Sequence, residues 1–189
     1  MVVSRTTGLA AAFALSMAVG TAALAEVGAG ADPMEGGAPV YPYKNIIENT
    51  GASKNHTTLV AAVKAAGLEA TLEGPGPFTV FAPTNEAFEK LPPGTVQSLL
   101  KPENKAALVK VLSYHVVAGK LTEARLRSAI RAGGGSATLT TVEGEPLMVS
   151  LYDDKITLTD AKGATSTVTV GNVIQSNGLI DVVDRVLTP

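Results

Sequence analysis

An apolar run, Phe78-Thr-Val-Phe-Ala82, meets a proline at Pro83 and continues as Thr84-Asn-Glu-Ala-Phe88. No other stretch narrows the possible folds so far. Phe78, Val80 and Ala82 alternate with Thr79 and Phe81, so both faces of the run are mainly apolar, which suits a strand buried within a sheet or between layers. Pro83 has no N–H to give to a ladder and ends the strand. Thr84 is positioned to cap a helix, and Glu86 falls in its first turn, where the positive end of the helix favours an anion. Phe88 and Leu91 follow at helical spacing before Pro92-Pro93 stops the helix.

Two later segments complete a pattern. Tyr114-His115 lies within Leu112-Ser-Tyr-His-Val-Val-Ala-Gly119, and Ser176-Asn-Gly-Leu-Ile-Asp-Val-Val-Asp184 lies near the C-terminus. In this order, across Tyr43 to Pro189, the three segments resemble the signature boxes of the fasciclin domain family. The resemblance implies an α+β wedge of two mostly antiparallel β-sheets, with helices from the N-terminal half packed along one side. The residues that carry it are Phe78, Thr79, Val80, Phe81, Ala82, Pro83, Thr84, Asn85, Phe88, Asn177, Gly178 and Asp184. It also implies a module of the cell envelope or extracellular space, implicated in adhesion and matrix contact.

Two residue pairs are candidates for interaction through the same resemblance. Tyr114 and His115 match a segment suggested as a contact site, although the box reads mainly as a link between a helix and the strands. Asn172 and Val173 fall on the family's proposed integrin-contact pair, Asp-Ile, when the chain is aligned on Ser176-Asn-Gly178. An amide at 172 cannot hold an integrin's metal ion as an ionised aspartate would. Asp181 also departs from the pattern, since many members carry His or Tyr there. No Arg-Gly-Asp triplet occurs.

The start of the chain reads as an export signal. Arg5 precedes the small and apolar run Leu9 to Val19, and Ala23-Leu-Ala25 gives a cleavage pattern that makes Glu26 the expected mature N-terminus. The apolar run is shorter than the ~20 residues of a spanning helix, so residues 1–25 are expected to be removed and no membrane span is expected. Residues 26–42, rich in Gly, Ala and Pro without periodicity, read as a flexible leader. A single domain is expected over 43–189. The chain has no cysteine, so an exported domain must be stable without disulfides and has no thiol chemistry. With no Trp and 4% aromatic residues, aliphatic side chains must fill its core.

Between these marks the periodicity changes once. Asn45 to Asn49 suits a helical turn closed by Gly51, and Leu59, Ala62, Val63 and Ala66 recur at helical spacing before Gly67. Leu68 to Pro77 reads as a loop. Thr95 is expected to cap a short helix, and Pro102 to open the next. There Leu108, Val111, Leu112 and His115 share a stripe, with Tyr114 beside it. His115 at the end of an apolar stripe suggests a packed, hydrogen-bonded core group. Thr122 caps a further helix, with Leu121 stapled on Leu126. From Ala137 onward, apolar residues alternate between turns at Glu143–Pro146, Asp153-Asp154 and Asp160–Gly163, the pattern of an antiparallel meander. Its last strand runs from Leu179 towards Leu187 and is expected to share the centre of a sheet with Phe78–Ala82.

The residues offer little chemistry. His56 and His115 are the only histidines, with no further ligand at metal-site spacing, so no metal is expected. The carboxylate pairs Asp153-Asp154 and Glu143/Glu145 sit in turns. No nucleophile elbow, phosphate loop or dinucleotide fingerprint occurs, and Gly133-Gly-Gly-Ser136 lacks the lysine of a phosphate loop. Asn55-His-Thr57 fits a glycosylation sequon. Formal charge is −2 over the whole chain and −3 once Arg5 is removed, against the basic footprint that nucleic-acid binding needs.

No catalytic, cofactor-binding or metal-binding residue is therefore assigned, and no cofactor is expected. The expected role is an exported, non-enzymatic interaction module, periplasmic or extracellular and monomeric, with a protein or cell-surface or matrix partner. The alternative is a periplasmic carrier with an apolar pocket between sheets and helices.

Overall fold

A computed structural model describes residues 32–35 and 38–189. The signal peptide expected at 1–25 and the beginning of the leader lie outside the described residues. Strands β1 (Asp32–Glu35) and β2 (Ala38–Val40) pair as an antiparallel hairpin. Part of the stretch expected as a leader is therefore ordered, and Val40 is buried in the helical core, where its side chain leaves water.

Helix α1 (Ile46–Ala52) starts at a capping box, in which Glu48 N–H donates to Asn45 Oδ1 and Asn45 N–H to Glu48 Oε2. Gly51, expected to close it, lies inside the helix. A helical glycine costs about 1 kcal/mol, which the cap and the burial of Ile46 and Thr50 outweigh. A 3₁₀ turn (Lys54–His56) leads to α2 (Thr57–Ala66), which ends on left-handed Gly67 as expected. The expected loop contains one short helix, α3 (Glu69–Leu72), held by its buried Leu72.

The organising stretch folds as read: β3 (Phe78–Pro83), the Thr84 cap with its Oγ accepting from Ala87 N–H, then α4 (Asn85–Glu89). Helix α5 (Thr95–Leu99) is preceded by left-handed Gly94 in the cap position assigned above to Thr95. A 3₁₀ turn from Pro102 to Asn104 opens α6 (Lys105–Tyr114), followed by β4 (Val116–Ala118). Thr122 Oγ accepts from Arg125 N–H to start α7 (Glu123–Ala132). The meander is β5 (Ser136–Thr140), β6 (Pro146–Tyr152), β7 (Lys155–Thr159), β8 (Thr165–Gln175) and β9 (Gly178–Val183). Asp153 and Asp154 both take positive φ between β6 and β7, as a two-residue hairpin requires. The last strand stops at Val183, short of the expected Leu187, because Asp184 turns to bond the backbone of Thr167.

The strand order is β4-β3-β9-β8-β7-β6-β5. β3 and β9 run parallel, residue against residue from Phe78↔Gly178 to Pro83↔Val183, and the other neighbours in this sheet are antiparallel. The two expected sheets are joined as one through β8. Thr165–Thr167 of that strand pair with β7, while Val168–Gln175 pair with β9 through two irregularities. Bulges of this kind bend a strand and increase its twist. The sheet curls until its two ends meet, with Val142 N–H donating to Val116 C=O at 2.7 Å.

Two apolar cores result. One lies between α1, α2, α6 and the β3/β9 pair, with Leu59, Val63, Leu112, Val80 and Ile180. The other fills the inside of the curl, where Leu126 and Ile130 of α7 meet Phe81, Leu147, Val149, Leu158 and Val183. Burying each such side chain contributes about 1.5–3 kcal/mol. No described helix is long and apolar enough to cross a membrane.

Candidate functional site

The signature residues turn inward. Thr79 Oγ donates to Gly119 C=O at 2.7 Å and accepts from Leu121 N–H at 2.9 Å, holding the β4–α7 connection against β3. Asn85 Oδ1 accepts from Thr58 N–H at 3.0 Å, and its amide donates to Lys54 C=O at 2.9 Å. This docks the start of α4 on the start of α2. Asn177 Oδ1 accepts from Ile46 N–H, and its amide donates to Leu72 C=O at 2.7 Å and Gly74 C=O at 3.1 Å. One side chain thus satisfies groups from α1, α3 and the loop before β3. Asp184 Oδ1 accepts from Thr167 N–H and Ser166 Oγ, fixing the first end of β8.

Tyr114 and His115 do the same at the end of α6. Tyr114 is wholly buried; its hydroxyl donates to Pro146 C=O at 2.8 Å and accepts from Ala161 N–H at 3.1 Å. Burial raises its pKa. His115 Nδ1 donates to Val111 C=O at 2.8 Å, and Nε2 accepts from Leu187 N–H at 3.0 Å. The two bonds select the neutral tautomer with the proton on Nδ1. Burial drives the pKa of the ring down to about 4. Tyr114→Phe should lower stability by about 1–3 kcal/mol, since it leaves Ala161 N–H without its acceptor; an unchanged urea midpoint would contradict this role.

Of the four candidate interaction residues, three are corrected by this geometry. Tyr114, His115 and Val173 are buried, and a partner cannot reach their side chains. Val173 packs in the helical core because it faces Ile180 across the β8–β9 ladder. Asn172 alone is exposed, and it is remote in role from the Tyr114-His115 pair. It takes a left-handed conformation, φ 61°, in the irregular part of β8. Its Oδ1 accepts from Glu123 N–H at 2.7 Å, so it caps the beginning of α7, and its own N–H donates to Asp181 Oδ1 at 2.8 Å.

This brings forward residues to which sequence reasoning assigned no role. Asp181 is 1% exposed on β9, with Oδ2 lacking any hydrogen-bond partner. Its pKa is pushed up to about 7: burial raises it, the Asn172 N–H opposes, and the nearby Glu123 charge adds to the rise. The available signal was a single carboxylate within the apolar run Leu179-Ile-Asp-Val-Val183. Beside it, a groove of about 280 Å³ opens between α7 and β7–β8, bordered by Glu123, Arg127, Asp154, Lys155 and Gly171. Arg127 holds Glu123 Oε1 and Asp154 Oδ1 together. An apolar cavity lies between α1, α2, α6 and β3, but at about 30 Å³ it has room for about one water. Among the described residues, no cluster of His, Asp or Glu could hold a metal ion.

Comparison with known proteins adds to this picture. A family profile described as the Fasciclin domain matches residues 54–189. Protein sll1483 of Synechocystis is 49% identical over 144 residues, which cover 76% of this chain and 73% of that protein. Immunogenic protein MPB70 of Mycobacterium bovis is 34% identical over 138 residues, covering 70% of this chain and 63% of that one. Among solved structures, a domain pair from the insect cell adhesion molecule Fasciclin I superposes with a TM-score of 0.70 at 17% identity. That match covers 79% of this chain and 52% of the pair, so this chain spans about half of it and shares its fold.

Proposed function

This chain belongs to the fasciclin domain family, and from that premise we propose that it is an exported, non-enzymatic adhesion or interaction module that binds a protein or surface partner. One observation carries the reading. The polar side chains of the signature boxes, from Thr79 to Asp184, are engaged in bonds within the domain, so the boxes build a scaffold and leave recognition to its surface. A catalytic centre would require convergent groups facing a cleft. The motif side chains instead face one another or the backbone. Small-molecule carriers enclose roughly 300–1,000 Å³, far above the apolar cavity between the helices and β3. That difference favours the interaction reading over the carrier.

The exposed bulge at Asn172 is the first surface to test. Immobilised protein incubated with envelope extract and spent culture medium should retain a saturable, salt-tolerant partner, and the source of that partner would distinguish periplasmic from extracellular action. Co-purification of a small molecule alone would favour the carrier instead. Integrin is not the expected partner, because Asn172 is an amide already bonded to α7 and Val173 is buried. The unmodified protein should show no metal-dependent integrin binding; strong binding abolished by chelation would overturn that expectation.

A further inference from the structure

We propose that Asp181, the Gly171–Asn172 bulge and the first turn of α7 form a proton-controlled latch, closed while Asp181 is protonated and loosened when it is ionised. This inference goes beyond the partner-binding reading and does not depend on it, because its readout is the fold itself.

The latch is a short chain of hydrogen bonds. Asp181 Oδ1 accepts from Asn172 N–H, and Asn172 Oδ1 accepts from the Glu123 N–H that begins α7. The bulge places Gly171 over Asp181. A side chain starting at 171 would meet Asp181 Oδ1 at 3.4 Å and Glu123 Oε2 at 3.5 Å, so both carboxyl groups border one small gap. An ionised carboxylate has room for about four donors, but here one donor reaches Asp181 and Oδ2 has none.

Neutralising charge is directed elsewhere. From α7, Glu123 faces Asp181 with like charge, and Arg127 is occupied by Glu123 Oε1 and by Asp154. From the β7 side, Asp154 and Lys155 line the outer groove. From β3, the neighbours on the same face are Thr79 and Phe81, which carry no charge. Protonation removes the repulsion and keeps Oδ1 free to accept from Asn172. Ionisation leaves a buried anion that gains hydration only by separating the bulge from the first turn of α7. That separation would free the exposed Asn172 side chain from its bond to Glu123.

The sign follows from linkage. The folded carboxyl holds its proton up to about pH 7, whereas the unfolded one loses it near its ordinary value of 3.8. The contribution is therefore fully present below that ordinary value and is lost as pH rises through about 7.

The test uses the full chain and two measurements. Carbon-13 titration of the Asp181 carboxyl should give a midpoint near 7; a midpoint in the ordinary carboxylate range overturns the latch. Amide hydrogen exchange, corrected for its intrinsic pH dependence, should show protection at 171–173 and 123–126 falling about tenfold for each pH unit above the midpoint, with β3 and β9 unchanged. Equal protection on both sides of the midpoint overturns it. Asp181→Asn retains an acceptor for Asn172 N–H and cannot ionise, so it should abolish the pH dependence at both segments; dependence that persists in this variant also overturns it.

Discussion

Gly178→Ala should destabilise the folded protein more than Tyr114→Phe, His115→Ala or Asp181→Asn. A methyl group at this position would lie 2.0 Å from the carbonyl oxygen of Phe78, 2.8 Å from its nitrogen and 2.9 Å from its carbonyl carbon. All three contacts are backbone atoms, so no side-chain rotation relieves them. They belong to the residue that pairs with Gly178 in the β3–β9 register, at the point where Phe78 N–H also bonds Asn177 C=O. To admit the methyl, the two parallel strands must separate where both apolar cores rest on them. The expected loss is about 4 kcal/mol or more, in the range reserved for disrupted cores and backbone clashes. Urea unfolding of the purified variant measures it, and a midpoint within experimental error of the parent would show that the close approach is not maintained in solution. The glycine of the third box is thus explained by backbone contact, without appeal to a partner.

His115→Ala should have the next largest effect, about 3–5 kcal/mol. The substitution empties a buried ring-sized space and leaves the Val111 carbonyl and the Leu187 N–H without their partners. Among the described residues no other acceptor takes the Leu187 N–H, although Asp160 Oδ2 still holds Thr188. The same geometry makes acid destabilising. A proton on Nε2 would point at the Leu187 N–H, which is itself a donor. The folded ring titrates near 4 and the unfolded ring near 6.5, so stability is present above 6.5 and is lost as pH falls through about 4. His56, buried with its pKa lowered for the same reason, acts in the same direction.

Asp181 opposes both histidines across this range, because its proton stabilises the folded form as pH falls. The parent should therefore show a shallow dependence of melting temperature on pH between about 5 and 7. In the Asp181→Asn background the acid loss due to histidine should emerge clearly. A slope no steeper in that variant than in the parent would mean that the two effects do not offset each other.

Much of this architecture is legible one segment at a time. The caps at Asn45, Thr84 and Thr122 act within a single helical turn, as do the turn at Asp153-Asp154 and the alternation from Ala137 onward. Their causes lie within a few residues, so the strand-to-helix passage at Pro83 and the helices-then-strands order can be read directly. The exceptions are also local contests. Gly51 stays helical because its helix is well capped and packed, and Gly94 displaces Thr95 from the cap because the approach to α5 takes a positive φ.

The site was less legible, for a physical reason. Whether Tyr114 and His115 face a partner or the core depends on Pro146, Ala161 and Leu187, which the chain brings back only after the meander is complete. Asp181 is the clearest case. Its sequence shows a carboxylate in an apolar strand, but its charge state depends on the α7 turn that covers it and on a bulge in the neighbouring strand. The family, most of the local elements and the apolar stripes that build the two cores follow from the residues alone. Only the tertiary structure decided which polar groups meet, because burial and hydrogen bonding between distant segments exist only once the chain has closed its long loops.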